Sequence, residues 1–292
     1  MRRLVVAGFA ILFLITAALP QQTKLKVYIS TDMEGIGGVD TLVQTQPQGR
    51  DYEKFRRLMT LEVNAAISGA YDAGASEVLV SDSHGDAQNI DIELLDKRAR
   101  IVRAWPRPLM MMQGIDSSFD AVLFVGYHAS EGSADAVLSH TFSGSEAVSL
   151  NGKAVPEAGF NAAIAGDFGV PVVFLSGDQT IAEEAKRLLG PIETAVVKQA
   201  IGYTSAITMH PELSQQLIRT GVRRGIERRK EIQPFKMAHP VRLEITYKTT
   251  VIAEVASYLR GVDRIAGNTI AFNAQDMIEA SKYRTVISLL RP

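Results

Sequence analysis

Short apolar runs that stop abruptly on polar residues recur along this chain, and segments with helical periodicity separate them. The run at 26–30 is followed by Asp32 and Glu34, and the run at 77–80 is followed by His84. A strand, helix, strand order of this kind indicates parallel strands joined by right-handed crossovers. Open parallel sheets bind ligands outside the carboxyl ends of their strands. The pattern therefore predicts an α/β fold with its chemistry at one edge of the sheet.

The same alternation continues to the carboxyl end of the chain. Helical patterns lie at 51–74, at 181–189, 208–230, 251–259 and 275–290, and in a segment that starts at 156. We expect Asp51 to cap the first of them. Further strand patterns lie at 100–104, 121–126, 170–176, 194–197, 241–247 and 269–273. Asn151-Gly152 predicts a two-residue hairpin turn, and the apolar/polar alternation at 241–247 predicts an edge strand. We expect a three-layer α/β/α fold with a largely parallel central sheet and a smaller C-terminal α/β portion, forming one catalytic domain over 24–292.

Composition narrows the kinds of chemistry that the chain can perform. Of 292 residues, 31 are Lys or Arg and 32 are Asp or Glu, so the formal net charge is −1. This balance lacks the basic excess of nucleic-acid-binding proteins and suits a small neutral or zwitterionic substrate. There is no cysteine, which excludes disulfides, thiolate zinc sites and cysteine nucleophiles. A transition metal would have to be bound by histidines and carboxylates.

The first residues have the composition of a secretory leader. Arg2 and Arg3 precede a charge-free, mostly apolar run at 4–19, and polar residues follow. That run of about 16 residues is short of the roughly 20 that span a bilayer. We predict a signal peptide at 1–23 and a secreted or periplasmic protein, with an uncleaved membrane anchor as the alternative.

Carboxylates and histidines follow the ends of several predicted strands or start the helix after them. The candidate metal ligands are Asp32, Glu34, His84, His128 and Glu157. Neighbouring parallel strands lie about 4.8 Å apart, so these groups can share one cleft. Two histidines with three carboxylates suit zinc or manganese, and the short Asp32 is the natural bridge between two ions. His140 is then available for acid–base work or carbonyl polarisation.

Some of these residues also have plain structural interpretations. Glu157 suits the first turn of a helix, where an acid stabilises the helix dipole. An acidic pair after a strand, such as Asp32 and Glu34, is common in solvated loops and helix caps. His210 and His239 lie beside prolines in the second half of the chain, and we expect neither to be a ligand.

Taken together, the motifs resemble those of a known peptidase family. They are Ser30-Thr31-Asp32-Met33-Glu34-Gly35-Ile36, Ser81-Asp82-Ser83-His84, Gly126-Tyr127-His128-Ala129, Ser139-His140 and Glu157-Ala158-Gly159-Phe160-Asn161-Ala162. In order and approximate spacing, the chain from 26 to 290 resembles the zinc-dependent D-aminopeptidases. The resemblance implies one zinc held by Asp32, Glu34 and His84. It implies a second zinc held by Asp32, His128 and Glu157, with His140 as an additional active-site histidine that acts on the substrate.

The resemblance also implies an assembly. Members of that family form ring-like decamers, two stacked pentamers enclosing a chamber that admits only short peptides. This chain departs from the family in two respects: Pro156 stands where Gly commonly precedes the glutamate, and the predicted leader is foreign to a cytoplasmic founding member.

These observations favour an extracytoplasmic dinuclear zinc aminopeptidase that removes an N-terminal residue, expected to be a D-amino acid, from short peptides. Another metal-dependent amidase or a phosphoesterase would use the same ligands. A secreted solute-binding protein suits the leader and the length, although it does not need histidines and carboxylates at successive strand ends. The sequence contains no G-x-S-x-G motif, which disfavours a serine hydrolase of the nucleophile-elbow type.

Overall fold

The computed structural model describes residues 24–142 and 146–290. The strands are β1 Leu25–Thr31, β2 Ala75–Asp82, β3 Ala99–Val102, β4 Ala121–Val125, β5 Glu146–Leu150, β6 Lys153–Ala154, β7 Val172–Asp178, β8 Glu193–Gly202, β9 Ser205–Thr208, β10 Val241–Tyr247, β11 Val262–Ala266 and β12 Thr269–Ala274. The helices are α1 Tyr52–Asp72, α2 Glu157–Asp167, α3 Gln179–Leu189, α4 Pro211–Glu227, α5 Thr250–Ala256 and α6 Met277–Ser288. The predicted signal peptide at 1–23 lies outside the described residues.

A seven-stranded sheet in the order β3-β2-β1-β4-β7-β8-β9 forms the centre of the molecule. Its strands are parallel except for the β8–β9 pair. The chain builds outward from β1 toward β3 on one side and toward β9 on the other. The strand order therefore reverses between β1 and β4, which is where open α/β sheets form their ligand crevice.

Helices pack in close contact with this sheet and with one another. A Cβ added to Gly69 of α1 would lie 2.5 Å from the carbonyl oxygen of Arg219 in α4, and one added to Gly225 of α4 would lie 2.5 Å from that of Val173 in β7. The contacts of α3 with β7, β8 and α2 form a further helical layer. The predicted three-layer α/β/α class with a largely parallel sheet is confirmed.

A second, antiparallel sheet has the order β11-β12-β10-β5-β6. The hairpin at Asn151-Gly152 is present, with φ of 49° and 77° at its two residues. Because β5 and β6 precede α2, this smaller portion is not purely C-terminal. The prediction that β10 is an edge strand is wrong, since β10 lies in the middle of the five strands. Its residues alternate between buried and partly exposed, the pattern of a strand with one face toward the core and the other toward solvent.

Two further local predictions need correction. Asp51 was expected to cap α1, but it has helical backbone angles and its side chain makes no cap hydrogen bond. The strand predicted at 194–197 is longer and turns back as β9, so the edge of the central sheet is an antiparallel hairpin. Within the described ranges, no helix has the length and apolar character needed to cross a membrane.

Candidate metal centre

The first two candidate ligands lie in a tight turn that follows β1. The amide of Asp32 donates to the Val125 carbonyl at 2.8 Å, and the amide of Gly35 donates to the Gly126 carbonyl at 2.7 Å. A Cβ on Gly126 would lie 2.3 Å from the backbone oxygen of Asp32, so glycine is required for this close approach. Asp32 and Glu34 are buried and face the end of β4, while Met33 enters the core. Because β1 ends at Thr31, this turn and not the strand pleat places the two carboxylates side by side.

The carboxylate of Asp32 lies between two histidines. Its Oδ1 is 3.2 Å from Nδ1 of His84, and its Oδ2 is 3.2 Å from Nε2 of His128. A further carboxylate accompanies each histidine: Oε2 of Glu34 is 3.0 Å from Nδ1 of His84, and Oε1 of Glu157 is 3.5 Å from Nε2 of His128. The five candidate ligands therefore converge, with Asp32 shared between two His–Glu pairs.

Backbone carbonyls fix the orientation of all three histidines in this region. Nε2 of His84 lies 2.9 Å from the Thr45 oxygen, Nδ1 of His128 lies 3.0 Å from the Ala129 oxygen, and Nδ1 of His140 lies 2.7 Å from the Leu138 oxygen. A carbonyl only accepts, so each of these nitrogens carries the hydrogen. The opposite nitrogen of each ring faces the carboxylates, as in histidines that bind metals.

Several polar atoms at the centre lack hydrogen-bond partners among the described residues. These atoms are Asp32 Oδ2, Glu34 Oε2 and His128 Nε2, all fully buried. Leaving such a group unsatisfied costs about 1–3 kcal/mol. Ligand atoms of Asp32, Glu34 and His128 lie within 4.8 Å of one another, as do those of His128, His140 and Glu157. A divalent cation would satisfy these oxygen and nitrogen donors, which are of the kind that zinc prefers.

Charge coupling at the centre is strong. Burial alone would raise the pKa of Asp32, but the imidazoles of His128 and His84 that face its two oxygens hold that pKa well below its usual range. Burial alone would lower the histidine pKa values, but Glu34 and Asp32 raise the pKa of His84, and Glu157 and Asp32 raise that of His128, well above normal. In the metal-free protein the cluster thus retains protons on its histidines, which a bound cation must displace.

Glu157 is the first residue of α2, as predicted, with Pro156 at the N-cap position. The amide of Phe142 donates to Oε1 of Glu157, and Nε2 of His140 lies 3.7 Å from the same oxygen. The amide of His140 donates to the Ala129 carbonyl at 3.2 Å. His140 thus lies beside the second histidine–glutamate pair, at its more accessible side.

A network of hydrogen-bonded side chains lies next to the candidate ligands. The hydroxyl of Tyr127 lies 2.8 Å from that of Ser30 and accepts from the Asn161 amide at 3.0 Å, and Ser30 lies 3.0 Å from Ser83. The motifs quoted above include these residues, but their spacing did not reveal the network. Sequence reasoning also missed Thr45 and the buried Lys198, because a backbone acceptor and a lone charge in a strand leave no pattern.

The remaining histidines lie elsewhere. His210 caps α4, with its Nδ1 3.3 Å from the amide of Glu212. His239 is 3.0 Å from a carboxylate oxygen of Asp167. Both have structural partners and neither belongs to the candidate metal groups found among the described residues.

Comparisons with known proteins agree with this geometry. The model of the M55 peptidase family, described as D-aminopeptidase, matches residues 25–286. The D-aminopeptidase of Bacillus subtilis (strain 168) is 34% identical over 270 residues, which cover 91% of this chain and 97% of that protein. A solved structure, the Zn-dependent D-aminopeptidase DppA from Bacillus subtilis, a self-compartmentalizing protease, aligns with a TM-score of 0.88 at 32% identity over 90% of this chain and 97% of that chain. These matches confirm the predicted family, fold class and enzyme class: the chain belongs to the M55 family of D-aminopeptidases.

Proposed function

We propose that this protein is a dinuclear zinc aminopeptidase that removes an N-terminal D-amino acid from short peptides outside the cytoplasm. The observation that carries the proposal is the placement of Asp32, whose two oxygens face different histidines. Each of those histidines has its own glutamate within 3.5 Å. A carboxylate shared in this way is the arrangement that bridges two ions.

Each zinc would have three ligands from this chain. Asp32, Glu34 and His84 would hold one ion, and Asp32, His128 and Glu157 would hold the other, with manganese as the alternative metal. Two zinc ions supply a Lewis acid for the scissile carbonyl and an activated water at neutral pH. Family membership supports zinc, since the structural relative DppA is described as Zn-dependent.

His140 is positioned to move the protons of the reaction. Its Nδ1–H donates to the Leu138 carbonyl, so its Nε2 is the nitrogen left to exchange a proton, and it lies 3.7 Å from Oε1 of Glu157. Peptide hydrolysis adds one hydroxyl to the carbonyl carbon and one proton to the leaving nitrogen. We assign to Nε2 of His140 the acceptance of the water proton and its delivery to the leaving amine.

We further propose that the protein assembles into a closed homo-oligomer, a decamer by analogy with its family. The structural relative is described as self-compartmentalizing, and this chain exposes apolar side chains around the β8–β9 hairpin. These are Ile201, Tyr203, Ile207, Met209 and Leu213. Light scattering on the protein and on an Ile201→Asp, Ile207→Asp double variant tests this: we expect a large particle that the variant splits, and a monomeric wild type would contradict it.

The predicted leader makes the location a separate proposal. The run at 4–19 behind Arg2 and Arg3 supports export. We expect a reporter fused after residue 23 to be active outside the cytoplasm and the mature protein to begin near Lys24. A cytoplasmic reporter with an intact N-terminus would overturn it.

Matched D- and L-alanyl dipeptides test the reaction, with zinc-loaded and chelator-treated protein compared. We expect hydrolysis of the D-peptide by the zinc form alone. Full activity after complete metal removal would contradict the proposal, as would turnover of a generic phosphate ester without peptide cleavage. Stoichiometric peptide binding without turnover would instead support a solute-binding protein.

A further inference from the structure

A buried lysine lies directly behind the turn that carries Glu34. Lys198, on β8, is 2% exposed. Its ammonium group donates to the backbone oxygens of Glu34, Ile36 and Val39. The bond to Ile36 is 3.1 Å long. An ammonium has three hydrogens to donate, and here every one of them meets a carbonyl of a single turn.

A carboxyl group accepts a hydrogen bond from a backbone amide of the same turn. Oε1 of Glu62, on α1, accepts from the amide of Gly37 at 3.0 Å and from the hydroxyl of Ser214 at 2.9 Å. A Cβ on Gly37 would lie 2.9 Å from that oxygen. The turn at 34–39 is therefore held between a cation on β8 and a carboxyl group on α1.

Acidic groups surround the lysine without forming an ion pair with it. Burial lowers the pKa of Lys198 to about 8, and attraction to Asp178, Glu62, Glu34 and Asp40 offsets part of that effect. Asp178 already accepts from the amides of Thr180, Ile181 and Val137. The direct contacts of the ammonium are thus with the peptide backbone of the turn, and these contacts fix the conformation of that backbone.

The turn continues into the segment that orients His84. Oε1 of Gln44 accepts from the amides of Asp40 and Thr41 at 2.7 and 2.8 Å, and the next residue, Thr45, provides the carbonyl that accepts from Nε2 of His84. One continuous segment therefore supplies the Glu34 carboxylate and the hydrogen-bond acceptor that directs Nδ1 of His84 toward it.

We propose that Lys198 is a positioning residue for the metal centre: its three hydrogen bonds fix the turn at 34–39, and thereby aim Glu34 and His84 at one ion. The inference rests on the proposed function for the ion itself. Outer partners of metal ligands change metal affinity by about 10- to 100-fold when they are removed. Removing the ammonium should therefore weaken the ion held by Asp32, Glu34 and His84 more than the ion held by Asp32, His128 and Glu157.

Chelator competition on purified zinc-loaded protein tests this. The variant is Lys198→Met, which keeps the length and loses the donors. The control is Ile218→Ala, which opens the buried apolar packing of α4 and should lower the unfolding temperature without touching the turn. We expect Lys198→Met to bind one of its zinc ions about tenfold or more weakly, and the control to bind both as the wild type does. Wild-type affinity for both ions in folded Lys198→Met would overturn the proposal.

Hydrogen exchange on metal-free protein separates this inference from the proposed function. The amides of Gly35, Ile36, Gly37 and Val39 are all hydrogen-bonded, so the turn should be protected. We expect Lys198→Met to lose protection in the peptide spanning 33–40, and Ile218→Ala to retain it.

Unchanged protection would refute the positioning role even if wild type binds zinc. If wild type binds no zinc, the proposed function fails, and the exchange result alone decides whether Lys198 fixes the turn. Should Lys198→Met not fold, Lys198→Gln, which keeps a shorter donor, carries both comparisons with the same expected direction.

Discussion

The imidazole of His140 stacks on that of His128, with 3.9 Å between ring centroids and 9° between ring planes. One nitrogen of each ring is tied to a backbone carbonyl, so the free nitrogens face the Glu157 carboxylate together. The proposed division of labour makes His128 a ligand and His140 an acid–base group.

Replacing His140 by Ala should therefore separate catalysis from metal binding. We expect kcat for a D-alanyl dipeptide to fall by about 10²- to 10⁴-fold, because a positioned proton-transfer group is lost. Zinc content should stay at the wild-type value, measured on the same samples. A parallel loss of zinc would make His140 a ligand, an assignment that its proximity to His128 and Glu157 also allows.

Gly126 should be irreplaceable at the end of β4. Gly126→Ala introduces a methyl group 2.3 Å from the oxygen of Asp32, at a residue with φ of 73°. We expect a loss of more than about 2 kcal/mol in the free energy of unfolding, since backbone strain and a backbone clash act together. Chemical denaturation measures the change.

Gly74→Ala is the matched control. Gly74 also has a positive φ, 90°, but nothing lies within 4 Å of a Cβ built there. Only the strain of the left-handed conformation remains, about 1–2 kcal/mol. Equal losses in the two variants would show that the approach of Gly126 to Asp32 is not as tight as the structure has it.

The stability of the metal-free protein should depend on Glu62 between about pH 4.5 and pH 7. Burial raises the pKa of Glu62 to about 7 from its ordinary 4.5, so the folded state holds this proton after the unfolded state has released it. Stability from this group is therefore present below pH 4.5 and is lost as pH rises to about 7 and beyond, by on the order of 3 kcal/mol. Glu62→Gln keeps an acceptor for Gly37 and Ser214 and does not titrate.

Thermal unfolding of both proteins in chelator across pH 5 to 8 measures the effect. We expect the wild type to lose stability relative to Glu62→Gln as pH rises. A difference between the two that stays constant over this range would show that Glu62 is ionised in the folded protein throughout.

Metal removal should lower stability as well as activity. Asp32, Glu34, His128 and Glu157 are buried and the side chain of His84 is 12% exposed, and a ligand that binds only the folded state stabilises it by mass action. We expect chelation to lower the unfolding temperature and zinc to restore it. His84→Ala should show a smaller response to zinc than wild type, and an undiminished response would remove His84 from the ligand set.

Much of the site was predictable because the end of each buried strand can be located in the sequence, where an apolar run gives way to polar residues. Asp32 and Glu34, His84 and His128 each follow an apolar run, and parallel strands bring such ends to one edge. The position of Lys198 was not predictable: its acceptors are backbone oxygens about 160 residues earlier in the chain, and backbone groups carry no sequence signal. The pattern of β10 was correct but its interpretation was wrong, because alternation reports one-sided burial and not an edge position.

Zinc content per chain tests the central claim most directly. Elemental analysis of purified wild type, His84→Ala, His128→Ala and Asp32→Ala should give about two, one, one and none, because the proposed assignment shares Asp32 between the ions and gives each histidine one ion. A single zinc in the wild type, or an Asp32→Ala variant that keeps both ions, would contradict the bridged dinuclear centre.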